Sequence, residues 1–131
     1  MDLYMENIID HGQHPRNFGE PLDPADIEYE DDNPFCGDHL HLTLQLDEQN
    51  RVKAVSWQGE GCTISQASAS MLGEEIIGKT LDELRNLDRQ DVLDLLGIPL
   101  SPTRLKCALL SLKVLKAGVY AHLGWSVQED E

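Results

Sequence analysis

The strict alternation of leucines between residues 40 and 46 is the pattern that most restricts the fold of this chain. Leucine occupies every second position there, and a polar residue stands between each pair. A period of two is typical of a β-strand with one buried face. A turn-forming stretch at 47–50 follows, and a second alternating segment covers 52–58. The two segments therefore predict neighbouring antiparallel strands.

The apolar period becomes helical in the second half of the chain. Apolar residues recur at helical spacing over 63–77, and a long helical pattern starts at Thr103. Between them, residues 80–83 match a helix-capping box, and residues 88–96 predict a short helix that is closed by Gly97.

The first third of the chain completes the expected architecture. A short helical pattern over 3–9 ends near Gly12, and residues 27–29 indicate the start of a further strand. The order of helix, strands and then helices predicts an α+β fold, with helices on one face of a small antiparallel sheet. A length of 131 residues is that of one domain, which we expect to span residues 1–131.

The net charge of −14 restricts the classes of partner. The chain has 10 Lys and Arg against 24 Asp and Glu, so binding to a nucleic-acid backbone is not expected. No apolar run approaches the roughly 20 residues of a membrane-spanning helix, and the first residues lack the basic and apolar regions of a secretory signal. We therefore expect a cytoplasmic protein with no nucleic-acid or membrane partner.

Three isolated cysteines and one aspartate provide the candidate site. Cys36 lies in a turn two residues before Asp38, Cys62 follows a Gly-rich turn and precedes a helical pattern, and Cys107 lies near the beginning of the last helix. An odd number of cysteines does not make a fully paired disulfide framework, and free thiols suit a reducing compartment. Three thiolates and one carboxylate are four ligands, the number that a tetrahedral zinc site or two irons of a cluster can use.

Each of these residues also has a purely structural interpretation. Free cysteines are among the most buried residue types, and an Asp after a Gly can simply end a turn. The cysteine spacing is not a local metal-binding signature, so only the fold can bring the three sulfurs together. The position of Cys62 at the beginning of a helix favours thiolate over thiol. As a ligand, Asp38 would be a hard and exchangeable donor among soft sulfurs.

Basic and imidazole side chains surround the candidate ligands in the sequence. A basic patch is expected around the third cysteine, formed by Arg104, Lys106, Lys113 and Lys116. Two histidines on one face of the Leu40 strand are interpreted as solvated or as neighbours of the site, namely His39 and His41. Two others are interpreted as turn and capping residues, namely His11 and His14.

Four segments of the chain match a known family. They read HGQHPRNFG at 11–19, NPFCGD at 33–38, GEGCTISQASASM at 59–71 and RLKCALL at 104–110. Together they resemble the U-type iron–sulfur cluster assembly scaffolds, the family of IscU, SufU and the N-terminal domain of NifU. The segment around Cys62 with its Ala-Ser run is highly specific.

The resemblance implies a fold, a site and an activity. The family fold is an α+β domain with a three-stranded antiparallel sheet packed on helices, with the metal site at one end. By the family pattern, Cys36, Cys62 and Cys107 hold a transient [2Fe-2S] cluster, and Asp38 joins them around a metal ion. Cys107 is the favoured acceptor of sulfur from a cysteine desulfurase. Iron then joins the sulfur, and the cluster passes to apo iron–sulfur proteins.

Departures from the family pattern leave three functions open. Lys106 stands where the IscU branch has a histidine, and the insertion of the SufU branch between the second and third cysteines is mostly missing. The resemblance as a whole implies a cluster scaffold, acting as a monomer or a cluster-bridged homo-oligomer. The alternatives are a zinc-bound, sulfurtransferase-type activator of the desulfurase and a zinc-stabilised interaction module. No acid–base pair, nucleophile triad or nucleotide fingerprint indicates an ordinary enzyme.

Overall fold

The computed structural model describes residues 3–34 and 37–124 as three strands and five helices. The elements are α1 Leu3–Gln13, β1 Ile27–Asn33, β2 Asp38–Leu46, β3 Val52–Glu60, α2 Thr63–Ile76, α3 Leu81–Arg85, α4 Arg89–Leu96 and α5 Pro102–Leu123. The strands form one sheet in the order β1-β2-β3, and both pairings are antiparallel. The expected α+β fold with a three-stranded antiparallel sheet packed on helices is confirmed.

The leucine alternation sets which face of β2 enters the core. Leu40, Leu42 and Leu44 have no exposed surface, and α5 packs against both β1 and β2. Thr43 points to the opposite face but is also buried, because the chain between α1 and β1 crosses that face. There the backbone N–H of Leu22 donates to Thr43 Oγ1 at 3.0 Å. The centre of β2 is thus covered on both sides, which the period-two pattern alone does not predict.

Helix α2, which contains the Ala-Ser run, packs against both α1 and α5. Residues 67–70 are fully buried, and α2 contacts α1 on one side and α5 on the other. The hydroxyl of Ser68 donates to the carbonyl oxygen of Ala108 at 2.6 Å and lies 3.0 Å from Ser111 Oγ. Small side chains let the two helix backbones approach closely, and the serine hydroxyls remain hydrogen-bonded at the contact.

Helix ends agree with the sequence signals, with two differences. The capping box at Thr80 and the left-handed Gly97 that closes α4 are both present. The last helix begins at Pro102, one residue before the predicted start, because Ser101 caps it and proline suits a first helical position. His11 is not a turn residue as expected: it lies inside α1 and is 6% exposed.

Across residues 3–34 and 37–124, none of the helices combines the length and apolar character that crossing a bilayer requires.

Candidate functional site

Asp38 is the first residue of β2 and is 1% exposed. It follows Gly37, whose φ of 70° favours glycine and lets the chain reverse between β1 and β2. The turn is closed by a hydrogen bond from Gly37 N–H to the carbonyl oxygen of Asn33 at 2.9 Å. The hairpin geometry therefore places a carboxylate inside the protein at the end of the sheet.

Cys62 links β3 to α2. It is the N-cap residue of α2, with extended backbone angles, and its side chain makes no capping hydrogen bond. Its backbone N–H donates to Asp38 Oδ1 at 3.0 Å, so the Asp38 carboxylate accepts a hydrogen bond from the N-terminus of this helix.

Cys107 lies in the second turn of α5 and is 2% exposed. The amide nitrogen of Asn33 lies 4.0 Å from Cys107 Sγ, within the limit for a hydrogen bond to sulfur. Cys107 is in the disulfide form in this structure, and its sulfur must be reduced before it can act as a thiolate ligand.

The fold brings three of the candidate ligands to one point. One ligand atom from each of Asp38, Cys62 and Cys107 lies within 4.8 Å of the other two. They come from three different elements, at the start of β2, the N-cap of α2 and the second turn of α5. The fourth predicted ligand, Cys36, lies outside the described residues.

The carboxylate of Asp38 has the chemistry expected of a metal ligand. Its Oδ2 atom is buried and has no hydrogen-bond partner within the described residues. A buried carboxylate oxygen without a partner is costly unless a cation or a donor completes it. Tetrahedral zinc places its ligand atoms about 3.5–4 Å apart, which is compatible with ligand atoms that lie within 4.8 Å of one another. Sulfur and carboxylate oxygen donors fit zinc, and sulfur donors fit iron in a cluster.

The predicted basic patch is smaller than the sequence suggests. Arg104 and Lys106 are exposed on α5, and Lys113 pairs with Asp31 of β1 at 3.2 Å. Lys116 is 8% exposed, and its ammonium donates to the carbonyl oxygen of Leu87 at 2.7 Å. Lys116 therefore stabilises the connection between α3 and α4 and does not belong to the surface around Cys107.

The histidines of β2 pair with acidic residues of β1. His39 contacts Asp32 through Nδ1 and Glu30 through Nε2, the latter at 3.2 Å, and the hydrogen bond to Asp32 raises the pKa of His39 above its usual value. His41 Nε2 lies 2.6 Å from a carboxylate oxygen of Glu28. These pairs occupy the outer face of the sheet, where both histidines are partly exposed and paired with carboxylates.

Two residues near the site were not predicted from the sequence. Asn33 reaches the sulfur of Cys107, and Ser65 of α2 is fully buried with an unpaired hydroxyl among the described residues. Ser65 has a local sequence signal, since it is the third residue of a helix whose N-cap, Cys62, is a candidate ligand. No comparable signal identifies Asn33, whose role depends on the packing of β1 against α5.

Comparisons with known proteins agree with this architecture. The family model described as the NifU-like N-terminal domain matches residues 3–128. The zinc-dependent sulfurtransferase SufU of Bacillus subtilis is 37% identical over 89% of this chain and 89% of its own length. The iron–sulfur cluster assembly enzyme IscU of Drosophila melanogaster is 32% identical over 89% of this chain and 76% of its own length. The chain therefore belongs to the family of NifU-like N-terminal domains.

Solved structures show the same fold. A SufU protein of Fervidobacterium islandicum AW-1 is 28% identical, with a TM-score of 0.74 over 90% of this chain and 99% of that chain. A NifU-like protein of Brucella abortus has a TM-score of 0.72 at 18% identity, which shows the fold alone. The expected resemblance to the IscU, SufU and NifU family is thus confirmed, and relatives on both the scaffold and the sulfurtransferase side are similar to this chain.

Proposed function

We propose that this protein is an iron–sulfur cluster assembly scaffold. In this function it accepts sulfur from a cysteine desulfurase, binds iron, holds a transient [2Fe-2S] cluster as cargo and passes it to apo-proteins. Cys36, Cys62 and Cys107 are the proposed sulfur ligands, and Asp38 is the proposed oxygen ligand. Family membership supports the reaction class, because relatives named as scaffolds align over most of the chain.

The observation that carries the proposal is the convergence of donors around an incomplete carboxylate. Asp38, Cys62 and Cys107 are distant in sequence, yet their ligand atoms lie within 4.8 Å of one another. The buried Oδ2 atom of Asp38 lacks a partner within the described residues. A site that only stabilised the fold would be expected to use thiolate or imidazole ligands throughout, whereas an oxygen among sulfurs suits a group that is bound and then released.

Cys107 is the proposed sulfur acceptor. In that step the reduced thiolate attacks the terminal sulfur of the desulfurase persulfide, a new S–S bond forms at Cys107, and the desulfurase cysteine leaves as its thiolate. Arg104 and Lys106 lie exposed on the same helix, within three residues of Cys107. Cys107 is less exposed than Cys62, so the desulfurase must approach the end of the sheet closely.

Anaerobic reconstitution tests the scaffold function. Reduced protein is incubated with iron, cysteine, a desulfurase and an excess of a small-molecule thiol, which reduces the transferred sulfur to sulfide. Charge-transfer absorbance and bound sulfide are then measured. We expect a cluster in the wild type and none in Cys62→Ala. Persulfide mapping by mass spectrometry should find the transferred sulfur on Cys107 of the wild type. The isosteric Cys107→Ser variant should accept no transferred sulfur. An absent cluster in the wild type, or equal spectra for both proteins, would contradict the proposal.

A second candidate function is a zinc-bound activator of the desulfurase. The similarity to a zinc-dependent sulfurtransferase at 37% identity supports it, as does Lys106 at the position before the third cysteine. In this function zinc would be held by the same four residues and would keep the thiolates ready for sulfur transfer. Zinc content of the purified protein, together with desulfurase turnover in its presence and absence, separates this candidate from the scaffold.

A further inference from the structure

The first turn of α2 contains a buried hydroxyl that the ligand set does not use. Ser65 is the third residue of α2 and has no exposed surface. Its Oγ atom has no hydrogen-bond partner in the part of the chain that the structure describes. A fully buried hydroxyl is normally hydrogen-bonded in a native protein, so a partner for Ser65 Oγ has to come from outside the hydrogen bonds of the described residues.

Gly61 shows which group lies next to this hydroxyl. A Cβ added to Gly61 would overlap both Asp38 Oδ1 and Ser65 Oγ, since both oxygens lie closer to that position than a carbon atom can approach. The two oxygens therefore face the same small space, and glycine is needed there because any side chain would fill it. Asp38 Oδ1 already accepts the backbone N–H of Cys62 at 3.0 Å.

The two oxygens of Asp38 have different surroundings. Oδ1 faces Ser65 and the helix N-terminus, whereas Oδ2 is buried without a partner among the described residues. A carboxylate oxygen has the lone pairs to accept more than one hydrogen bond. A carboxylate that ligates a metal is itself usually hydrogen-bonded through its other oxygen, and these outer partners set its orientation.

We propose that Ser65 is a positioning residue for the Asp38 ligand. Its hydroxyl donates to Asp38 Oδ1 alongside the Cys62 N–H when a metal ion is bound, and the carboxylate is thereby held with Oδ2 toward the ion. This inference depends on the proposed function, because it assumes that Asp38 is a ligand. It assigns Ser65 and Gly61 a role in ligand orientation, whereas Cys62, Cys107 and Asp38 contact the bound group.

Zinc affinity of the reduced apo-protein provides the first test. Zn²⁺ is titrated against a competing chelator for the wild type and Ser65→Ala. We expect Ser65→Ala to bind Zn²⁺ about 10–100-fold more weakly, the usual effect of losing an outer hydrogen bond to a ligand. The matched control is Ser70→Ala, which makes the same change at another fully buried serine of α2. Because Ser70 pairs with His11, its variant should keep wild-type zinc affinity.

A double-mutant cycle separates ligand positioning from a general effect on the helix. If Ser65 acts through Asp38, Ser65→Ala has no further effect on zinc affinity in an Asp38→Ala background. Co²⁺ spectra provide a second measure, and the visible bands should change in Ser65→Ala but not in Ser70→Ala. Thermal unfolding of the apo-proteins checks that all variants fold.

The outcomes distinguish the inference from the function on which it depends. Wild-type zinc affinity in Ser65→Ala, or an equal loss with and without Asp38, would overturn the role of Ser65 while leaving the scaffold intact. A wild type that binds neither Zn²⁺ nor a cluster would overturn both. A loss of affinity that disappears in the Asp38→Ala background supports the inference.

Discussion

Two groups of largely buried polar residues, one at the N-terminus of α2 and one between α1 and α2, differ in how their hydrogen bonds are completed. The first, here called the ligand cluster, consists of Asp38, Cys62 and Cys107. The second, here called the α1–α2 network, consists of His11, Arg16 and Ser70. In the network, His11 Nδ1 lies 2.7 Å from Ser70 Oγ, which also accepts the backbone N–H of Arg16 at 2.8 Å. In the ligand cluster, Asp38 Oδ2 has no partner within the described residues.

The contrast shows how one helix can serve both stability and function. A buried polar atom that is paired within the chain contributes to folding, whereas one that is left unpaired lowers stability until something binds it. Substitutions in the network should therefore affect the free energy of unfolding, and substitutions in the ligand cluster should affect metal binding. The following predictions test that separation, in order of decreasing expected effect.

Asp38→Asn should have the largest effect and should act on metal binding alone. The variant keeps the shape of the side chain but removes the charge that a bound metal ion would balance, so we expect zinc affinity to fall by more than the roughly 10–100-fold of an outer-shell change. The free energy of unfolding of the apo-protein should not fall, because a buried unpaired carboxylate is replaced by a neutral amide. Chelator competition and denaturant unfolding measure the two quantities.

Ser70→Ala should show the opposite pattern. The change leaves His11 Nδ1 and the Arg16 N–H without their shared partner, so we expect the free energy of unfolding to fall by about 1–3 kcal/mol. Zinc affinity should remain at the wild-type value. A variant that unfolded like the wild type but lost zinc would show that the two groups of residues are not separate.

His11 should make stability depend on pH. Burial lowers the pKa of His11 below its usual value, the nearby Arg16 acts in the same direction, and Glu74 and Asp10 oppose them. In the unfolded chain His11 titrates near its ordinary value of about 6.5, so the unfolded state takes up the proton first as the pH falls. The contribution of His11 is complete above about pH 6.5 and is lost as the pH falls through the folded-state pKa.

Comparison of the wild type with His11→Asn isolates this effect. The asparagine can retain a donor near Ser70 but does not titrate, so the difference in unfolding free energy between the two proteins should change between pH 7 and pH 5. If the difference in unfolding free energy between the two proteins did not change with pH, burial would not be lowering the pKa of His11 in the folded protein.

His39 should have the smallest effect and the opposite sign. The hydrogen bond to Asp32 raises its pKa, so His39 contributes stability below about pH 6.5 that is lost as the pH rises through the folded-state pKa. Its side chain is 39% exposed, and exposed pairs are weak and screened by salt. His39→Gln should slightly reduce stability near pH 6 at low salt, and urea titrations at high salt should show no difference.

Much of the fold could be predicted because the relevant signals are local. The leucine period fixed the face of β2, the Thr80 capping box marked the beginning of α3, and Gly97 marked the end of α4. The interpretation of His11 was wrong because an imidazole near a Gly and a Pro has the local signals of a turn. Its actual partner, Ser70, lies 59 positions away in the sequence.

The candidate site is predictable in part. Residue type and the family resemblance identify Cys36, Asp38, Cys62 and Cys107 as candidates without any distance, and Cys36 lies outside the described residues. The positions of Lys116 and Ser65 could not be predicted in the same way. Their surroundings depend on how the helices are rotated against the sheet. This rotation decides whether a lysine of α5 faces solvent or the loop after α3. It also decides whether a serine of α2 faces another helix or a carboxylate.

The sequence by itself determined the kinds of element, their order and the donor chemistry, because periodicity, caps and residue types act over a few neighbouring positions. Only the tertiary structure decided that Asp38 Oδ2 is buried without a partner among the described residues and that two sulfurs lie beside it. That arrangement depends on contacts between residues far apart in the chain, namely the end of the sheet, the N-terminus of α2 and the second turn of α5. Packing of the buried faces brings these three elements together, and the distances between them cannot be predicted from a local sequence pattern.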